Sequence, residues 1–430
     1  MEINSGDTAF LLISAALVLL MTPGLALFYG GMVRAKSVLN MMMMSFISIG
    51  IVSVLWVLYG YRLAFGDSGS GLWGAFGASD LGGLVDSMPN NGGVYPIPEL
   101  LFSAFQLMFA VITVALISGA IADRAKFLAW SVFVVVWVSI VYFPVAHWVF
   151  DFGTAQADGT VTGAGWLASL GVLDFAGGTA VHINAGAAAL ALAIVLGKRK
   201  GFARVPMKPH NLPLVLLGAG LLWFGWFGFN AGSALGANST AALALLNTQV
   251  ATGAALLGWL VVERLRQGHA TSLGAASGAV AGLVAITPAC AFVSPVGAIA
   301  IGVLAGALAA LAVSLKYRLG YDDSLDVVGV HLVGGLVGSI CIGLLATDGG
   351  LFYGGDIALL GKQALGAVVV MAYSFIATLI IGFAISATIG FRVHEEAEVA
   401  GIDLAEHLEY GYEFGQVGGS EFTAQVKEGV

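Results

Sequence analysis

The chain has 430 residues, 59% of them hydrophobic and only 10% charged, with a formal net charge of −8 and a mean hydropathy of +0.94. A soluble globular protein carries roughly 25% charged residues, so the polar side chains present cannot cover a water-facing surface of this size. A soluble fold is excluded, and an all-α integral membrane protein with no nucleic-acid partner is expected.

Taken in order, the first 33 residues hold no Lys or Arg, so the apolar run at 10–21 lacks the basic start of a signal peptide and reads as a spanning helix that stays. Eleven segments are long enough to cross about 30 Å of hydrocarbon as helices. They are 8–30, 40–65, 99–122, 127–150, 177–197, 211–231, 240–263, 272–288, 295–315, 326–346 and 364–391. Four consecutive methionines, Met41 to Met44, point around their helix rather than at one ion and read as packing or lipid contact. Residues 66–98 are rich in Gly, Ser, Asp and Pro, and 151–176 in Gly, Asp and Thr, so both read as loops. Cys290 and Cys341 lie in apolar runs and read as buried small hydrophobes.

Every one of the 17 basic residues except Arg62 and Lys362 falls on alternate connections or after the last span. By the positive-inside rule that side is cytoplasmic, which puts the amino terminus outside a plasma (inner) membrane and the carboxyl terminus inside. Residues 1–391 form the transmembrane domain, in halves 8–197 and 211–346 with a long eleventh helix at 364–391. Residues 392–430 form an acidic cytoplasmic tail, either a flexible end or a docking element. Spans one to five and six to ten are equal in number, and five is odd. The two halves therefore enter the membrane from opposite sides, an inverted repeat in which helices five and ten are equivalent.

Those two helices carry Asp174-Phe-Ala-Gly-Gly-Thr-Ala-Val-His182-Ile-Asn-Ala-Gly186 and Asp326-Val-Val-Gly-Val-His331-Leu-Val-Gly-Gly335, predicted to meet at mid-membrane. A histidine there is costly unless it faces a cavity or a hydrogen-bond partner. Gly178, His182 and Gly186 share one helix face, and Gly334 and Gly338 form a small surface beside His331, letting the imidazoles touch. The bland reading is an interhelical hydrogen bond; the sharper one is a polar site in a narrow apolar pore, able to share or relay a proton. Two imidazoles could also hold a haem. The other histidines (His147, His210, His269, His394 and His407) are scattered, so no metal or cofactor is expected. Asp174 and Asp326 read as helix N-caps, with Asp174 also holding loop backbone near where a cation would enter. In the run from Leu222 to Ser233, Gly225, Gly228 and Gly232 interleave with aromatic rings and Asn230 and Ser233 follow. An interfacial belt rarely looks so; aromatic faces and a hydroxyl suit a cation with N–H donors. Phe105 and Phe109, at i and i+4, share the face of a partner element.

These pieces, with Pro23 to Gly31, Lys208-Pro-His-Asn-Leu-Pro213 and Thr287-Pro-Ala-Cys290, resemble the Amt branch of the Amt/Mep/Rh ammonium transporters over essentially the whole chain. The resemblance implies a homotrimer with one pore per subunit, taking ammonium for nitrogen uptake and contacting membrane lipids. It implies an outer recruitment site of Phe109, Phe150 and Ser233 supported by Asp174. Below it would lie gating rings Phe109 and Phe229 with Phe105 nearby, then a pore lined by Trp226 and the twin histidines His182 and His331. Phe150 stands where relatives commonly have a tryptophan, and weaker recruitment is expected. The segment from Gly401 to Tyr412 resembles a regulatory motif that receives PII signalling proteins, with Leu408 in place of its usual glycine. The alternatives are a passive ammonia or carbon dioxide channel of Rh type and an ammonium sensor.

Overall fold

The computed structural model describes residues 2–79 and 81–412. Among them, ten helices are long and apolar enough to cross a membrane: α1 (Ser5–Met32), α2 (Ala35–Phe65), α3 (Glu99–Ile121), α4 (Phe127–Phe150), α5 (Gly178–Leu196), α6 (Leu212–Gly232), α7 (Ser239–Gln267), α9 (Pro295–Leu319), α10 (Val328–Leu345) and α11 (Ile357–Thr388). The eleventh expected crossing, at 272–288, corresponds to a shorter apolar helix, α8 (Ser272–Ile286), of 15 residues. At 1.5 Å per residue it rises about 22 Å, short of a hydrocarbon core. Nearly all of α8 is buried against other helices, so protein rather than lipid surrounds it and its length need not match the bilayer.

Asn4, Asn211, Asn238, Thr271, Ser294 and Asp356 each accept a backbone N–H at the start of a helix, satisfying donors left free there. The packing of the second five helices repeats that of the first. The contact of α2 with α4 is matched by α7 with α9, and that of α2 with α3 by α7 with α8. The helices that are each other's equivalents, α1 with α6 and α5 with α10, pack together, and α11 lies along α5. Leu257, Val296 and Ile380 are exposed on the outside of the bundle, as a lipid-facing surface requires.

The tail folds back on the face where α1 ends. Helices α12 (Glu395–Ala400) and α13 (Ile402–His407) close over the starts of other helices there. The Asp403 carboxylate accepts from the N–H groups of Leu39 and Asn40 at 3.0 and 2.8 Å. Glu406 accepts from the Phe127 N–H at 2.9 Å, and buried Glu398 pairs with Arg392 at 2.6 Å. This stretch docks on its own membrane domain. Lys427 and the rest of 413–430 lie outside the described residues. The same face holds a buried ion cluster in which Arg199 makes a two-pronged pair with Asp322, at 2.9 Å on each prong, and meets Asp123 at 3.2 Å.

Candidate functional site

Both histidines sit in π-helical turns, Gly178–Ile183 at the head of α5 and Val328–Leu332 at the head of α10. Such turns are rare and frequent at functional sites. Asp174 anchors the first. Its carboxylate accepts from the N–H groups of Gly177, Gly178, Thr179 and Ala180 at 2.7–3.1 Å, and from the Thr179 hydroxyl. That density of donors suits a carboxylate cap on a positive helix end.

The second cap is not Asp326. Asp323 accepts from Val327 and Val328 at 3.1 and 2.8 Å, while Asp326 pairs with Lys316 at 2.6 Å. The offset of 149 between His182 and His331 carries Asp174 onto Asp323 and Gly177 onto Asp326. Gly177 and Asp326 both have positive φ, +118° and +63°. Asp326 thus occupies a backbone place that its counterpart fills with glycine. Burial pushes the Asp323 carboxyl up to about 6, with Lys316 opposing the rise and Asp326 adding to it.

The close crossing also obeys the offset. A side-chain carbon on Gly186 would lie 2.5 Å from the Leu332 nitrogen, and one on Gly335 would lie 3.1 Å from the Ile183 nitrogen. Gly334 and Gly338, expected at this crossing, instead face Val284 and Ala285 of α8. Gly335 is the glycine that the crossing requires.

There the imidazoles stack at 5.3 Å between centroids, with the two Nδ1 atoms 3.2 Å apart. Two N–H groups cannot point at each other at that distance, so one Nδ1 donates and the other accepts. The far nitrogens then differ as well: one ring turns an acceptor Nε2 outward and the other a donor. His182 Nε2 is buried with no protein partner. Both histidines line a cavity of about 10 Å³, walled otherwise by apolar groups including Val181, Leu222, Trp226, Phe229 and Val280. It has room for roughly one water-sized molecule.

Above the cavity, Phe109 of α3 and Phe229 of α6 stack at 4.1 Å with planes 19° apart, and Phe105 meets Phe109 edge-on at 4.9 Å. Trp226 stacks on His182 at 5.4 Å and donates its N–H to Thr287 at 2.8 Å. Phe150, at the end of α4, lies edge-on to Phe109 at 6.3 Å. The Ser233 hydroxyl donates to the Phe229 carbonyl at 2.8 Å, leaving its oxygen lone pairs to accept. Asp174 is buried and connects to this group through backbone that it holds. A side-chain carbon on Gly177, whose N–H Asp174 holds, would lie 3.5 Å from the tip of Phe150. Neighbouring Trp148 points away, to the Leu72 carbonyl at 2.6 Å. Asp323 and Thr287 were missed as site residues. An eight-residue step from Asp to His, common to Asp174–His182 and Asp323–His331, was the available signal.

The Ammonium Transporter Family profile matches residues 9–412. The chain is 57% identical over 450 residues to "Ammonium transporter" of Mycobacterium tuberculosis (strain H37Rv), covering 98% of this chain and 93% of that one. Among solved structures it is similar to "Sensor Amt Protein", with a TM-score of 0.84 at 31% identity over 94% of this chain and 98% of the other. It is also similar to Saccharomyces cerevisiae Mep2, with a TM-score of 0.82 at 32% identity over 97% and 93%.

Proposed function

The chain belongs to the ammonium transporter family, and on that premise we propose that this multi-pass membrane protein takes up ammonium across the plasma membrane by moving ammonia and its proton separately. The observation that carries the reading is the pair of touching imidazoles in an apolar cavity beneath the stacked rings of Phe109 and Phe229. Ammonium gathers at Phe109, Phe150 and Ser233, where ring faces attract the cation and the hydroxyl oxygen accepts an N–H. A bare cation costs several kcal/mol or more in an apolar passage, and neutral ammonia far less. The ion therefore gives up its proton as it passes the rings, to an acceptor nitrogen of the histidine pair below them. Ammonia passes Trp226 and the histidines, whose alternating acceptor and donor nitrogens give the proton a polar route, so charge moves with each ammonia. Potassium is excluded because it has no proton to lose.

In this reading the amino terminus is outside, the tail is inside, three subunits each carry a pore, and a PII protein docks at the tail. The test is the current evoked in sealed proteoliposomes by ammonium and by potassium. Current with ammonium alone supports the reading. Ammonium uptake without current would leave a passive ammonia channel. The similarity to a protein described as a sensor supplies a second reading, and ammonium binding with no flux at all would favour it.

A further inference from the structure

We propose that Asn91, in the loop between α2 and α3, is a positioning residue that sets ammonium recruitment by fixing where the Phe150 ring stands. The inference rests on the reading above, in which Phe150 forms part of the recruitment site.

Helix α4 ends at Phe150, where the last carbonyls have no partner within the helix. Asn91 supplies one. Its side-chain NH₂ donates to the Phe150 carbonyl at 2.9 Å, and its carbonyl oxygen accepts from the Phe152 N–H at 2.6 Å. One amide therefore brackets the ring-bearing residue from both sides. Asn91 is only 8% exposed, so water cannot readily replace either bond. Next to it, the Gly92 N–H donates to the Gly153 carbonyl at 2.5 Å, closing the loop onto the helix end.

The loop then runs directly into α3, the helix that carries Phe105 and Phe109. The clamp thus ties the end of α4 to the lead-in of α3, and these two elements hold the 6.3 Å edge-on contact of Phe150 with Phe109. A tryptophan at 150 would have a ring N–H with which to hold its own position, but a phenylalanine has none. Its ring is placed by backbone and packing alone, by Gly177 on one side and the clamp on the other. Cation–π attraction needs the ion within about 6 Å of the ring centroid, so a shift of the helix end changes the affinity of the site directly.

Asn90 provides an internal control. Its amide makes the same kind of two-way bond, with the carbonyl and N–H of Ala155 at 3.0 Å each, but beyond the ring-bearing residue. The experiment measures initial ammonium uptake in proteoliposomes for Asn91→Ala, Asn91→Asp, Asn90→Ala, Phe150→Ala and the double variant Asn91→Ala/Phe150→Ala. Asn91→Ala and Asn91→Asp are expected to raise the apparent KM about three- to fivefold with the maximal rate unchanged. Asn90→Ala should leave KM unchanged, and the double variant should match Phe150→Ala, because Asn91 acts through that ring. If Phe150→Ala raises KM but the Asn91 variants do not, or if the effects multiply in the double variant, the positioning role is overturned while the recruitment reading stands. An equal rise in Asn90→Ala would overturn it too, since the loop then acts only as structure. If Phe150→Ala leaves KM unchanged, the recruitment reading fails and this inference with it. Asn91→Asp keeps the acceptor for Phe152, so it reports on the clamp even where Asn91→Ala fails to fold.

Discussion

At the scale of single residues the centre of the proposed pore is a pair of rings whose Nδ1 atoms lie 3.2 Å apart. Removing either ring leaves the other nitrogen facing an apolar gap. His182→Ala and His331→Ala are each expected to lower ammonium flux or to admit potassium, read as uptake and as current in the same vesicles. At the entrance, Phe150→Trp substitutes the strongest cation–π partner. It should lower the apparent KM about two- to fivefold, and an unchanged KM would remove the position from recruitment. The histidines were legible in the sequence because a titratable group in an apolar run has few structural excuses. Asp323 was not. Its neighbour Asp326 stands nearer to His331 and looks like the better cap, and only the backbone turn at Asp326, with φ of +63°, shows that this residue fills a glycine's place instead.

At the scale of elements, hydrophobic runs located the spanning helices but gave no sign of the π-turns at Gly178–Ile183 and Val328–Leu332. A π-turn differs from its neighbours by one hydrogen-bond step, and no residue type marks it. Nor did the tail disclose its docking mode, since a carboxylate that caps a distant helix looks like any acidic residue of a solvated tail. In the fold Asp403 caps α2 and Glu406 caps α4, the helix that ends at Phe150. Asp403→Ala should cost about 1 kcal/mol of local stability, the usual worth of a cap, seen as faster hydrogen exchange in α12, α13 and the first turn of α2. Leu408 works in the opposite direction. It closes α13 in the left-handed region, with φ of +56°, at a cost of about 1–2 kcal/mol for a residue with a side chain. Leu408→Gly is therefore expected to slow exchange in the same segment.

At the scale of the whole molecule, the inverted arrangement was legible from charge and arithmetic. Basic residues divide the connections between two faces, and five helices per half, an odd number, imply the inversion. Helix α8 differs from its counterpart α3 in length, because a helix enclosed by protein need not match the bilayer as one that faces lipid must. The buried ion cluster joining Asp123, Arg199 and Asp322 stitches the two halves together on the tail face. Burial alone would raise the Asp322 carboxyl, but its pairing with Arg199 outweighs this and holds it below the usual carboxylate range. A group depressed in this way adds stability above its ordinary value near 4, and that stability is lost as pH falls through the lowered value. Asp322→Ala should cost about 3–5 kcal/mol by leaving Arg199 buried and underpaired. Thermal unfolding in detergent should show the deficit at pH 7 and a smaller one in acid.

The matched crossings of Gly186 on Leu332 and Gly335 on Ile183 mean that the backbone at the middle of the proposed pore looks alike from either end. A backbone of that kind gives the flow no direction of its own. Any preference for one direction of flow must arise from side chains, above all at the mouths, which differ: rings and a hydroxyl at one end, carboxylates and guanidinium groups at the other. Reversing the gradient should drive ammonium backwards past the same two histidines, with half-saturation set by the mouth it enters.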